Sequence, residues 1–437
     1  MMRKRSLLII MLFCLSSLAH AVLTIEITQG TEGAEPIAIV PFKWVGKGAA
    51  PTSIKNIVAA DLQRSGLFSP LADKDIIAKP SEGSEVKYTT WRALNVNYLV
   101  VGKIQELTDG SFQVQFQLLD VFKGRQLAGY SIRALNSGLR RTAHHISDII
   151  YKTITGEEGA FNTHISYITV TKDSNGKKLY QLAIADADGY NEKPIYRSTQ
   201  PLMSPSWSPD GTRLAYVSFI NGRPEIFVHN IFSAKKDKIA SFKGLNNAPR
   251  WSPDGKYLAL TLSKDGNPEI YIMNVSSRKL NRITRSYAID TEPEWLPNNS
   301  GLVFTSDRGG SPQLYEVKLK GLKASTRPKR LTFEGNYNAR SSVSADGRLI
   351  AMVHRNQGKF RIAVLDRETK HFNVLTSGQL DESPSFAPNG RMIIFATEEK
   401  FRGILSAVSV DGRARQRLSF NNGDVREPVW SPYSVNK

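Results

Sequence analysis

Pro205-Ser206-Trp207-Ser208-Pro209-Asp210-Gly211 returns as Pro249-Arg250-Trp251-Ser252-Pro253-Asp254-Gly255. Weaker copies follow at Pro293-Glu294-Trp295-Leu296-Pro297, with Gly301 two residues late, and at Val343-Ser344-Ala345-Asp346-Gly347. Pro384-Ser385-Phe386-Ala387-Pro388-Asn389-Gly390 is the fifth copy, and Pro428-Val429-Trp430-Ser431-Pro432 is a sixth without its Asp-Gly. The aromatic (or Val) positions are spaced by 44, 44, 48, 43 and 44 residues. Self-similarity at such a period marks a repeat architecture. An apolar strand follows each motif, as in Leu214-Ala215-Tyr216-Val217 or Leu302-Val303-Phe304. A second strand comes after a turn (Glu225-Ile226-Phe227-Val228, Glu269-Ile270-Tyr271-Ile272), and a basic, polar strand ends the unit, as in Lys329-Arg330-Leu331. Four short strands in about 44 residues is the size of a β-propeller blade.

Five units are complete, starting at the motifs around residues 207, 251, 295, 343 and 386. The segment Ile165 to Tyr196 has the later strands without a motif, and the Trp430 copy has a motif with no strands after it. Joined, these halves make a sixth blade that closes the ring and hides its sheet edges. The Ser-Pro-Asp-Gly stretch reads as a turn: Pro sets φ, Asp bonds its local backbone and Gly takes positive φ. Asp210, Asp254 and Asp346 are thereby assigned to turn structure rather than to carboxylate chemistry.

Ahead of the repeats, residues 36–155 read as an α/β domain. Pro36 to Val40 is a buried strand, and Thr52 to Arg64 an amphipathic helix carrying Ile54, Ile57, Val58 and Leu62. Tyr98 to Val101 begins a second strand, followed by a hairpin at Asp109-Gly110 into the alternating run Phe112 to Leu118. Ser137 to Thr153 is a second helix, with Leu139, Ile146, Ile149 and Ile150 on one face, and 156–162 is a linker to a propeller spanning 163–437. Residues 22–35 form a leader: Val22-Leu23-Thr24-Ile25-Glu26-Ile27-Thr28-Gln29-Gly30 alternates apolar and polar side chains before Thr31-Glu32-Gly33. It reads either as an edge strand of the domain or as a detachable strand that adds to a partner's sheet.

Residues 1–21 have the form of a secretory signal: Arg3, Lys4 and Arg5, a twelve-residue apolar run from Leu7 to Leu18, then Ala19-His20-Ala21. That run is too short to span a bilayer, so no direct membrane span is expected. Cys14, the one cysteine of the 437 residues, lies inside it, which excludes disulfides from the exported chain. Export without cysteine suits a periplasm. The net charge of +18 falls to +15 without the three signal cations. Lys and Arg occur throughout and never in runs of five, which argues against a nucleic-acid partner.

Chemistry-bearing motifs are missing. There is no Gly-x-Ser-x-Gly, no His-Glu-x-x-His and no phosphate loop. His144 and His145 are neighbours on a helix and cannot face one ligand, and His164, His229, His354 and His371 are scattered. A non-enzymatic binding protein is therefore expected, with no cofactor and no metal; the rivals are a propeller-based envelope hydrolase and a glycan-binding cell-wall protein.

The signal, the small α/β domain and the six Trp-Ser-Pro-Asp-Gly blades together resemble the TolB family, periplasmic component of the Tol-Pal system. Pro36-Ile37-Ala38-Ile39-Val40-Pro41-Phe42-Lys43-Trp44, Val58-Ala59-Ala60-Asp61-Leu62, Asp188-Gly189-Tyr190-Asn191, Pro201 to Gly211, Thr291-Glu292-Pro293 and Trp430-Ser431-Pro432 carry the resemblance, which spans essentially the whole chain. It implies a monomer bridging the lipoprotein Pal and the C-terminal domain of TolA in outer-membrane invagination and envelope integrity, with bacteriocins as further candidate partners. It assigns TolA to Val22 to Gly33 and thereby favours the detachable strand. It assigns Pal to the propeller mouth at Leu245, Ala248 and Thr291, just ahead of the repeat prolines. The family more often has His where this chain has Leu245, which removes a hydrogen bond from that contact. Ring symmetry extends the rim to Met203, Ser204, Asn246, Glu292, Arg340, Glu382 and Arg426.

Overall fold

The computed structural model describes residues 24–29, 33–419 and 423–433. The signal assigned to 1–21 lies outside them, as do Val22, Leu23, Gly30, Thr31 and Glu32 of the leader.

The N-terminal domain is a mixed sheet in the order Phe68–Pro70, Glu35–Ile39, Tyr98–Glu106, Phe112–Asp120, Arg125–Ala134, with Lys43–Val45 also paired to Tyr98–Glu106. Two helices cover one face: α1 (Ile54–Arg64), capped by Ser53, whose Oγ accepts from Asn56 N, and α3, Leu139–Thr155. In chain order the short α2, Tyr88–Ala93, comes between these two helices. Leu139, Ala143, Ile146 and Ile150 recur at helical spacing and bury completely, with Ile54, Val58 and Leu62, against Ile37, Ile39, Val100, Val114 and Leu118. Each Leu, Ile or Val among them contributes about 2 kcal/mol on burial. On the opposite face Trp91 of α2 packs with Ala38, Val40, Leu99 and Val101. Gly156 ends α3 in the left-handed region at φ 78°, which a residue without Cβ adopts freely.

The remaining chain is a six-bladed propeller. Blade I joins Asp424–Trp430 to His164–Lys172, Lys178–Asp186 and Lys193–Ser198, so the last strand of the chain is the inner strand of the first blade. Blades II to VI begin at the inner strands Leu202–Trp207, Asn246–Trp251, Asp290–Trp295, Asn338–Val343 and Glu382–Phe386. The closure is reinforced where Ser431 N donates to His164 O at 2.8 Å and Trp430 Nε1 to Thr163 Oγ1 at 2.8 Å.

The motif does two jobs. Its Ser and Asp build the turn: Ser208 Oγ lies 2.5 Å from Asp210 Oδ1, which also accepts from Thr212 N at 3.0 Å, and Ser252–Asp254 and Ser344–Asp346 repeat the arrangement. Its aromatic stitches blades together. Trp207 Nε1 donates to Val429 O of the preceding blade and Trp295 Nε1 to Arg250 O. Main-chain donors do the same: Phe386 N bonds Ser342 Oγ and Trp430 N bonds Ser385 Oγ.

The leader departs from one expectation. Thr24–Gln29 is not an edge strand of its own domain; it pairs antiparallel with Arg415–Ser419, as a fifth strand on the outside of blade VI. The α/β sheet already ends on Phe68–Pro70 and Arg125–Ala134, whereas the outer edge of blade VI faces the domain. On that edge Gln416 Nε2 donates to Arg64 O, and from the blade's motif turn Arg391 pairs with Glu157 and Asn389 Nδ2 bonds Glu158 O at 3.1 Å.

Candidate functional site

Antiparallel strands alternate ends, so each blade offers its motif turns to one face of the ring and its inter-blade loops to the other. The α/β domain contacts the motif-turn face through Asn389 and Arg391. The opposite face, the mouth, is where the inner strands begin.

Near its start, every inner strand breaks register with its neighbour. At each break one non-glycine residue takes left-handed φ: Ser204 (50°), Ala248 (47°), Glu292 (52°), Arg340 (53°), Ser383 (54°) and Glu427 (49°). Five of the six precede proline, and the conformation costs a non-glycine residue about 1 kcal/mol. Neighbouring blades offset that cost. Ser204 N donates to Glu427 Oε2 at 2.5 Å, Glu292 N to Thr261 Oγ1 at 3.2 Å, and Arg340 N to Glu292 Oε2 at 3.0 Å. The six bulges ring a channel cavity of about 500 Å³. Across it Arg340 Nε bonds Glu292 Oε1 at 3.0 Å, its Nη1 bonds Ser383 Oγ at 2.5 Å and its Nη2 lies 3.7 Å from Glu427 Oε1. Burial opposes the guanidinium charge, but Glu427 and Glu292 outweigh it and raise the Arg340 pKa, so it stays charged. Deeper in, Arg250 Nε bonds Glu294 Oε2 at 3.1 Å, and burial pushes the Glu294 carboxyl up. The lining is mostly Ser, Pro and Trp, with charge supplied by Glu292, Glu294, Glu427, Arg250 and Arg340.

Of the ten mouth residues expected from sequence, Ser204, Ala248, Glu292 and Arg340 are four of the six bulge residues. Met203, Thr291, Glu382 and Arg426 sit one position earlier, on the inner strands. Arg426 is exposed beside Asp424, and Leu245 is half-buried, with its N–H donating to Ser263 Oγ at 2.8 Å. Asn246 is not a rim residue. It is fully buried, its Nδ2 donates to Phe242 O and Gly244 O, and its Oδ1 accepts from Phe242 N, so it holds the loop.

Sequence reasoning missed Ser383 and Glu427, because in blades VI and I it chose the residue one place earlier. It also missed an apolar collar on the mouth loops: Tyr287, Ile289, Phe333, Leu380 and Phe401 are all exposed. Loops carry no periodicity to reveal such residues; the one available signal was the apolar residue four before the repeat Pro, as in Leu245, Ile289 and Leu380.

A second polar cluster joins the domains. His144 Nδ1 lies 2.7 Å from Asp61 Oδ2, and its Nε2 lies 3.6 Å from Asp188 Oδ2 on the propeller. Burial pulls the imidazole down, but Asp61 and Asp188 outweigh it and raise its pKa. Burial raises Asp188, yet Arg64, His144 and Arg140 together bring it below the usual carboxylate range. The three side chains could in principle surround a cation. Arg64 and Arg140 already pair with the two carboxylates, so that place is taken by guanidinium charge.

Residues 23–127 match the family described as the TolB amino-terminal domain, and residues 151–434 the TolB beta propeller domain. A Tol-Pal system protein TolB from Thioalkalivibrio sulfidiphilus is 57% identical over 432 residues, covering 98% of each chain. The chain belongs to the TolB family. A second TolB, from Xanthomonas campestris pv. campestris, is 54% identical over 94% of this chain and 93% of that one. The crystal structure of TolB from Acinetobacter baumannii superposes with a TM-score of 0.86 at 42% identity, covering 94% of this chain and all of that one. Family membership and the closed six-bladed ring thus agree with the reading of the repeats. No helix among the described residues is long and apolar enough to cross a membrane.

Proposed function

We propose that this chain is a non-enzymatic, periplasmic component of a Tol-Pal envelope system, exported by its N-terminal signal. In this reading the propeller mouth docks the lipoprotein Pal, and residues 22–33 carry the strand that engages the C-terminal domain of TolA. The observation that carries it is the apolar collar of Tyr287, Ile289, Phe333 and Leu380 on the face not occupied by the α/β domain. Large apolar side chains exposed together on one face mark a protein-interaction surface. Ser204, Ala248, Glu292, Arg340, Ser383 and Glu427 supply its centre, with Leu245, Met203, Thr291, Glu382 and Arg426 around it. Thr24–Gln29 is held by a single strand pairing, so it can exchange that edge for a partner's by β-addition. Pal would bias this exchange by binding the two states unequally.

Isothermal titration of the mature chain tests both halves. Ile289→Asp with Leu380→Asp should weaken Pal at least tenfold and leave TolA binding unchanged. Deleting 22–33 should abolish TolA binding and retain Pal. If either variant lost both partners equally, separate sites would be wrong.

A further inference from the structure

Blade IV carries four residues more than its neighbours, which appears in sequence as the 48-residue spacing. The structure puts the excess in a hairpin: the strand Gln313–Lys320 runs on, turns at Gly321-Leu322 and returns through Lys323–Ala324. It lies on the motif-turn face. Across its tip Lys320 is directly opposite Lys323, a like-charge pairing that a hairpin ordinarily avoids. Strand alternation places Lys318 and Lys320 on one side of the ribbon, and pairing adds Lys323 and Lys329 to that side. All four lysines are exposed, as is Arg327.

The acid that could answer them is already engaged. Glu316, the one acidic residue between Asp307 and Glu334, faces Lys329 across the strands, yet its carboxylate bonds Arg367 Nη2 at 2.8 Å. Among the described residues, none of the five exposed cations forms an ion pair. Arg278 and Lys279, exposed on the adjoining turn of blade III, extend the same field. Seven exposed cations thus stand together on this part of the motif-turn face. Leu322 at the tip packs back onto the blade, so the ribbon offers charge without an apolar wedge.

We infer that this hairpin is a docking surface for an anionic lipid membrane. Lysines are hydrated point charges on flexible stems, suited to a diffuse surface potential rather than to gripping one phosphate in a fixed fork. Four of them on one side of an exposed ribbon match a plane of headgroups. Each contributes about a fivefold increase in partitioning onto an anionic bilayer, and the effect fades as salt shortens the Debye length. The inference does not rest on Pal or TolA.

The test is co-sedimentation of the full mature chain with vesicles of phosphatidylcholine containing phosphatidylglycerol, against phosphatidylcholine alone. Binding is expected to the anionic vesicles at low salt, and its loss at 0.5 M NaCl, where the Debye length is only about 4 Å. Lys320→Gln with Lys323→Gln should lower partitioning roughly 30-fold while leaving the circular dichroism spectrum unchanged. A control pair on the mouth face, Lys172→Gln with Lys178→Gln, should leave it within about twofold of the parent. No binding to anionic vesicles, an equal loss in the control, or binding to a soluble acidic polysaccharide but not to vesicles would each overturn the inference.

Discussion

Trp251 and Trp295 hold the same motif position in adjacent blades, at 6% and 4% exposure. Their indoles differ in one respect: Trp295 Nε1 donates to Arg250 O at 3.1 Å, whereas the buried Trp251 Nε1 has no partner among the described residues. Replacing either by Phe removes the same ring volume, so the packing loss should nearly cancel between the two. Trp295→Phe also removes the indole's bond to the Arg250 carbonyl, which costs about 1–1.5 kcal/mol. Trp251→Phe removes a buried donor that was already unmet and recovers part of its desolvation cost. Arg213 lies 4.4 Å over the Trp251 ring, and weakening that contact costs about 0.5 kcal/mol, too little to reverse the order. Trp295→Phe should therefore be less stable than Trp251→Phe by about 2 kcal/mol. With a urea slope of about 3 kcal/mol/M or more, that is a gap of roughly 0.5 M in midpoint. Far-UV circular dichroism is the assay, because fluorescence changes with the substitution itself. Equal midpoints, or a lower one for Trp251→Phe, would refute the idea that indole hydrogen bonds stitch one blade to the next.

Arg340→Ala leaves Glu292 and Glu427 facing the channel without their shared cation and should cost about 3 kcal/mol, read as a drop in melting temperature that Lys at 340 only partly restores. His144 has a folded pKa above its usual 6.5, so its stabilisation is complete below pH 6.5 and is lost as pH rises through that higher value; His144→Gln should flatten the pH dependence of melting above pH 6.5. Burial raises Asp148 to about 6 despite the Phe161 and Asn162 N–H groups it accepts from, so ionising it between pH 4 and 6 should remove about 3 kcal/mol of stability. Asp148→Asn should abolish that acid-side slope in a melting series. A Cβ on Gly159 would clash with Asp148 Oδ1 and come within 2.7 Å of its Cα, so Gly159→Ala should cost about 2 kcal/mol and speed proteolysis within 156–162.

Much of this architecture was legible in the chain because it is written in local codes. The period of about 44 residues, the Pro-Asp-Gly turns and the orphaned Trp430 motif specify a closed ring, since each depends only on nearby turn chemistry and strand alternation. Leu139, Ile146 and Ile150 declared their helix face in the same way. What remained hidden depends on residues far apart in sequence. The six left-handed bulges are one such case, because Ser204 takes its conformation with Glu427 on its N–H, 223 positions away. Asn246 looked like a rim residue until the loop that wraps it was in place. The leader's pattern showed an edge strand, but a strand's backbone donors do not name their partner, and only the assembled ring presents Arg415–Ser419 to it. Periodicity reports which face of an element is buried; which elements meet, and so where charges cluster or cancel, is settled only by packing.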